Sequence, residues 1–247
     1  METAYLNTKV GTLEGVEHGY GPNVHVLADP YALGQLARLC SPDVGQPAFN
    51  MLVRQLYEHL MTTTLNLLFP RVVMESTTRM HAYTPNGVFR GSVIDRSTRV
   101  VCVDVARAGI LPSQVCFDVA NTVFDPDGVR QDHVIMSRRT DADGKVVGAD
   151  ISGMKIGGPI DGRHVLFPDP MGATGGSLAA AISYYKEHHG AAPALIATLN
   201  LIVTPRFIRA LLDAHPQVHI VALRVDRGES EAGVLGGPLG ARWAQEN

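Results

Sequence analysis

The feature that most limits how this chain can fold is the join between residues 165 and 186, where an apolar run meets a helical pattern through a glycine-rich turn. Val165-Leu166-Phe167 reads as a buried strand. Leu178 to Lys186 reads as a helix with Leu178, Ala181, Ile182 and Tyr185 on its apolar face. Between them lies Asp169-Pro170-Met171-Gly172-Ala173-Thr174-Gly175-Gly176-Ser177. An anion held at this turn would meet a helix N-terminus, whose free N–H groups carry partial positive charge. The glycines let the backbone curl close to a ligand, and Thr174 and Ser177 add hydroxyl donors. Asp169 would repel a phosphate, so its carboxylate suits sugar hydroxyls or a bridging divalent cation. Together these parts point to a phosphorylated sugar. The plainer alternative is a strand-to-helix turn in which Asp169 and Ser177 only cap backbone groups. A nucleotide P-loop is disfavoured, because no Gly-Lys-Ser/Thr follows and Lys186 stands at the far end of the helix.

The same alternation of strand and helix runs on both sides of the turn. The apolar run Val100 to Val103 leads into Val105-Ala106-Arg107-Ala108-Gly109-Ile110, and His133-Val134-Ile135-Met136 leads into Ser137-Arg138-Arg139-Thr140. Downstream, Ala194 to Ile202 reads as a strand. Thr204 can cap a helix that starts at Pro205 and buries Phe207, Ile208, Leu211 and Leu212, and His219 to Val225 supplies a further strand. Near the beginning, Phe49, Leu52, Val53, Leu56 and Leu60 recur at helical spacing over Gln46 to about Met61. Such repetition requires an α/β fold with a mostly parallel, doubly wound sheet that binds ligands at the carboxyl ends of its strands. Arg107, Arg138 and Asp169 all follow apolar runs, so they can converge there. The glycines between Gly144 and Gly162 mark a mobile polar loop.

Asp169 through Ser177 resembles the phosphoribosyl-diphosphate-binding signature of the uracil phosphoribosyltransferases, Asp-Pro-Met-Leu-Ala-Thr-Gly-Gly-Ser, from which only Gly172 departs. The single acid followed by proline is the form of the uracil branch, where other type I phosphoribosyltransferases carry two adjacent acids. Val105 to Ile110 resembles the family's Leu-Arg-Ala-Gly loop, which binds diphosphate and in which the arginine–alanine peptide is typically cis. His133 to Thr140 resembles the strand and following arginine of the family, with Arg138 in the arginine position, or Arg139 if the register slips by one.

The resemblance spans roughly Val24 to Gly228 and implies a type I phosphoribosyltransferase-like fold with an N-terminal helical embellishment. It implies transfer of ribose 5-phosphate from 5-phosphoribosyl 1-diphosphate to uracil, giving UMP and diphosphate. Arg107 and Asp169 would be the catalytic residues, and the same two residues, Arg138 and the stretch Pro170 to Ser177 would bind substrate. Magnesium associated with the phosphoribosyl diphosphate and a homodimer are implied as well. The other readings are a phosphoribosyltransferase for another nucleobase, and a regulatory phosphoribosyl-diphosphate binder without turnover.

Residues 1–247 read as a single domain, with an N-terminal extension over residues 1–23. Residues 229–247 form a base-binding region that is diverged or incomplete. The family's glycine-aromatic-Ile-Val-Pro-Gly segment and its acidic loop have only a loose counterpart between Glu229 and Asn247. Composition bounds the setting. A 26.5 kDa chain that is 45% hydrophobic can bury a substantial core, and a net charge of -3 argues against nucleic acid as a partner. The longest apolar runs are broken by Arg, Pro or Asn, so neither a signal peptide nor a membrane span is expected. Cys40, Cys102 and Cys116 form neither a metal motif nor a disulfide pattern, which suits a reducing cytoplasm, and Cys102 reads as a buried thiol. The ten histidines contain no His-Glu-x-x-His.

Overall fold

The computed structural model describes residues 15–140, 146–190, 192–228, 230 and 232–235. Strand β1 (Val24–Val26) is followed by helices α1 (Pro30–Leu39) and α2 (Ala48–Leu68), then by strands β2 (Arg71–Thr77) and β3 (Val88–Ile94). The central unit follows as β4 (Val100–Ala106), α3 (Ile110–Val123), β5 (Val129–Thr140) and β6 (Val146–Lys155). The remainder alternates as β7 (His164–Pro168), β8 (Met171–Gly172), α4 (Gly176–His189), β9 (Leu195–Val203), α5 (Pro205–Ala214), β10 (His219–Val225) and α6 (Ala232–Leu235).

Among the described residues, one sheet runs in the order β1-β10-β9-β7-β4-β5-β6, with β8 paired to β9 beside that path. Every pair in it is parallel except β5 with β6. The α/β class and the mostly parallel, doubly wound sheet expected from the sequence are both found. From β4 the chain winds outward through α3 to β5, whereas from β7 it winds the other way through α4, β9, α5 and β10. The direction of winding therefore reverses between β4 and β7, which makes the crevice at their carboxyl ends the expected ligand position.

Both faces of the sheet are covered, and the strands alternate between two cores. Val100 and Cys102 of β4 pack with α2 and α3 residues such as Leu56, Leu60 and Cys116. Val101 and Val103 pack on the other side with Ile182, Tyr185, Phe207 and Ile208 of α4 and α5. Burial on two sides explains why these strands read as continuous apolar runs rather than alternating ones. The N-terminal signals of α5 act as expected: the Thr204 hydroxyl accepts from Phe207 N–H at 3.1 Å, with Pro205 in the first turn.

Three expectations need correction. Helix α2 runs on to Leu68 and buries Leu52, Val53, Leu56, Tyr57, Leu60, Met61 and Leu65 together with Thr63 and Thr64; Phe49, in its first turn, is 41% exposed. The doublet Arg138-Arg139 is part of β5 rather than a loop after it, and the Gly144 to Gly162 stretch contains β6, which pairs antiparallel with β5. Glycines masked this strand, although Ile151 and Ile156 dock on the α4 and α5 side of the core. Of residues 1–23, those from Gly15 onward return along the edge, where Gly15 bridges Leu27 and Val16 N–H donates to Val26 O at 2.9 Å. Residues 1–14 lie outside the described residues, as do residues 229–247 apart from Ser230 and Ala232–Leu235.

Candidate phosphate and sugar site

The two loops that leave β4 and β7 meet at a cavity of about 610 Å³, lined by Val105, Ala106, Arg107, Ala108, Met136, Asp169 and Ser177. Strands β4 and β7 are paired only from Val100–His164 to Cys102–Leu166. Beyond that, β4 stays with β5 as far as Ala106 while β7 stays with β9 as far as Pro168. The two strands separate, and the gap is the cavity. Close approach is kept at one point by Gly109, where a Cβ would lie 2.9 Å from Val105 N and O and 3.1 Å from Pro168 O.

The glycine-rich turn is a worked piece of backbone. Asp169 N–H donates to Leu199 O at 3.0 Å, Ile202 N–H to Pro170 O at 3.1 Å and Thr204 N–H to Gly172 O at 2.9 Å, so the turn is stitched along β9. Gly175 ends it in the left-handed region, at φ 80°, where a side chain would be strained. Helix α4 starts at the next residue with no side-chain cap, so its first-turn N–H groups are not taken up by a capping side chain. Thr174, Gly176 and Ser177 are exposed on this turn. The arrangement suits an anion.

Arg107 adds the positive charge. It is exposed, it follows β4 directly, and among the described residues it makes no ion pair. The cis peptide in this loop is Ala106–Arg107, one bond before the arginine–alanine peptide that the resemblance implies. Three residues earlier, Asp104 accepts a hydrogen bond from His133 at 3.1 Å, which ties β4 to β5 beneath the loop. Burial pushes the Asp104 carboxyl up and the histidine partly offsets it.

Asp169 has the opposite character. Burial raises its carboxyl to about 6, and the Met171 N–H pulls it only part of the way back. Asn200 of β9, which sequence reasoning missed, holds the aspartate's backbone by donating from Nδ2 to Asp169 O at 2.7 Å. Behind it, Tyr57 donates its hydroxyl to Leu199 O at 3.1 Å. Met136 was missed too, since an apolar residue at a strand position carries no chemical signal. Arg138 sits in β5 with its backbone opposite Ala149; its side chain lies outside the described residues. The cavity thus joins Arg107, from the loop after β4, with Asp169 and Ser177, from the two ends of the turn after β7.

A lone carboxylate beside an anion cradle can orient a sugar diol or touch a cation already held by a diphosphate. Among the described residues no group of three or more His, Cys, Asp or Glu could hold a metal ion alone. A magnesium ion brought by a phosphorylated ligand would be held mainly by that ligand's oxygens, and the acid in the cavity lining that could add to them is Asp169. Nor is any helix among the described residues long and apolar enough to cross a membrane.

A family model described as uracil phosphoribosyltransferase matches residues 26–241. The chain belongs to the uracil phosphoribosyltransferase family. It is 30% identical over 212 residues to a uracil phosphoribosyltransferase of Rhodococcus jostii (strain RHA1), covering 86% of this chain and 91% of that enzyme. A counterpart from Variovorax paradoxus (strain S110) is 28% identical over 213 residues, or 86% of this chain and 92% of the relative. In structure, the AQ2163 protein from Aquifex aeolicus superposes with a TM-score of 0.65 at 18% identity, covering 82% of this chain and 87% of that one. This last likeness bears on the fold, which is that of the type I phosphoribosyltransferases. The family match continues to residue 241, through most of the segment that the sequence reading found diverged. The reaction class is phosphoribosyl transfer, in which phosphoribosyl diphosphate and a nucleobase give a nucleotide and diphosphate.

The raised Asp169 carboxyl makes a pH prediction. An unfolded aspartate ionises near its ordinary value of about 3.9, whereas the folded chain resists ionisation until about 6, so this residue weakens the ligand-free fold as pH rises through that window. Asp169→Asn removes the penalty. The variant should gain up to about 3 kcal/mol above about pH 7 and nothing below about pH 4. Thermal melts across that range check it, and a gain that does not change with pH would contradict the assignment.

Proposed function

We propose that the chain transfers ribose 5-phosphate from 5-phosphoribosyl 1-diphosphate to N1 of uracil, giving UMP and diphosphate. The observation that supports this most is the convergence of Arg107, Asp169 and Ser177 on one cavity where β4 and β7 part. The base is suggested by the uracil phosphoribosyltransferases to which the chain is similar.

In this reading the 5′-phosphate rests on the α4 N-terminus, with Thr174 and Ser177 adding hydroxyl donors. The Asp169 carboxylate accepts hydrogen bonds from the ribose hydroxyls. Arg107 faces the diphosphate with a planar fork of donors. The bond between C1 of the ribose and the diphosphate oxygen breaks, positive character develops at C1, and the bond to uracil N1 forms as the N1 proton passes to solvent. Arg107 stabilises charge on the leaving diphosphate, and magnesium carried by the diphosphate would supply further charge neutralisation there. Positioning and fixed charge supply the acceleration, and no covalent nucleophile is required.

Self-association as a homodimer belongs to the same proposal. Among the described residues, strands β2 and β3 form a two-stranded ribbon paired with no other strand, and one of its faces exposes Val72 (43%), Met74 (39%) and Phe89 (40%). A hairpin of this size is marginal in water on its own, and a second copy gives the apolar ribbon a surface to cover. The setting proposed is the cytoplasm, in pyrimidine salvage.

The direct test mixes protein, magnesium and phosphoribosyl diphosphate with uracil, hypoxanthine, adenine or orotate, and measures each nucleotide. UMP should dominate. Arg107→Ala should cost about 1.5–3 kcal/mol in kcat/KM through loss of charge-assisted hydrogen bonds. A different nucleotide would reassign the base, and saturable binding of phosphoribosyl diphosphate with no nucleotide formed would favour a regulatory binder. Sedimentation should show a dimer at micromolar concentration that dissociates on Met74→Glu. A native chain that is monomeric throughout would refute the dimer.

A further inference from the structure

The phosphate cradle rests on the first turn of α5, and one aromatic ring sets its height. Phe207 is 1% exposed, and a Cβ added to Gly172 would lie 2.7 Å from its Cδ2 and 2.8 Å from its Cε2 and Cγ. The ring already fills the space that any side chain at position 172 would need. On the same turn, Thr204 donates its N–H to Gly172 O at 2.9 Å and its hydroxyl to Ala173 O. A Cβ on Gly175 would lie 3.0 Å from Phe207 O and 3.1 Å from Ala210 Cβ. Three cradle residues are therefore seated on a helix that contributes no residue to the cavity lining.

We propose that Phe207 is a positioning residue for phosphoribosyl diphosphate, acting through Gly172 and assisted by Thr204. The inference rests on the functional reading above and adds a residue outside the signature. Gly172 is the one position at which the turn departs from the family's pattern, which has leucine there. The ring of Phe207 occupies the volume that such a leucine would need, so residues 172 and 207 form one packing unit. A large residue at both positions overlaps, and a small residue at both leaves a void beneath the phosphate-facing amides. With the void, the turn from Met171 to Gly176 is free to sink and its N–H groups lose their common aim.

The test compares Phe207→Ala, Phe207→Leu, Gly172→Leu and the double variant Gly172→Leu/Phe207→Ala with the native chain. Two quantities are measured: calorimetric affinity for phosphoribosyl diphosphate with magnesium, and amide exchange of residues 171–176 without ligand. Phe207→Ala and Gly172→Leu should each weaken binding by about tenfold or more and speed exchange in the turn, while the double variant should return to within about threefold of native affinity. Phe207→Leu keeps bulk under the turn and should lie between. The idea falls if folded Phe207→Ala binds and exchanges like the native chain, or if the double variant is no better than the worse single one. Should Phe207→Ala fail to fold, Phe207→Leu with and without Gly172→Ala carries the same comparison, with the combination expected to bind more tightly than Phe207→Leu alone. If the native chain does not bind phosphoribosyl diphosphate, the functional reading fails, and turn exchange still decides whether residues 172 and 207 are coupled.

Discussion

The structure depends on the short parallel pairing between β4 and β7. Only Val100–Cys102 and His164–Leu166 take part. This seam joins the two directions of winding, and it ends before either strand does. Had the pairing continued to Ala106 and Pro168, the loops carrying Arg107 and Asp169 would be bound to each other and no cavity would open. Both faces of the seam are sealed by apolar side chains, with Cys102 and Leu166 in one core and Val101, Val103, Val165 and Phe167 in the other. Its position is therefore held by packing, which leaves the loops above it free to carry chemistry.

Around that opening, the fold places charges of opposite preference close together. The start of α4 and the Arg107 guanidinium favour an anion, while Asp169 is a carboxyl that burial keeps reluctant to ionise. A carboxyl of this kind is well used only when a ligand compensates its charge. Sugar hydroxyls or a magnesium ion brought by a diphosphate would do so, and a bare phosphate would not. In the proposed function the donors and the lone acid would favour a phosphorylated sugar over a simple phosphate, which would account for an acid beside the cradle.

Much of this was legible in the sequence where local chemistry and tertiary structure agree. The strand at Val165-Leu166-Phe167, the helix face of Leu178, Ala181, Ile182 and Tyr185, and the Thr204-Pro205 start of α5 all formed as their patterns require. Other parts carried no local signal. Strand β2 is exposed along its whole length and β3 meets a core at Ile94, so burial imposed no regular alternation on the ribbon, and β6 was hidden by its glycines. Asn200, Met136 and Phe207 reach the site only because parallel pairing and packing bring distant segments together. Such neighbours cannot be found from spacing along the chain.

The most direct test of the central claim is a crystal structure of the protein soaked with phosphoribosyl diphosphate and magnesium. The account requires the 5′-phosphate against the amides of residues 172–177, the ribose hydroxyls over Asp169, and the diphosphate beside Arg107. A second polar cavity, of about 430 Å³, lies at the opposite ends of the strands and is lined by residues including Lys186, His215 and His219. Ligand density there, or at only one of the two loops that leave β4 and β7, would contradict the account.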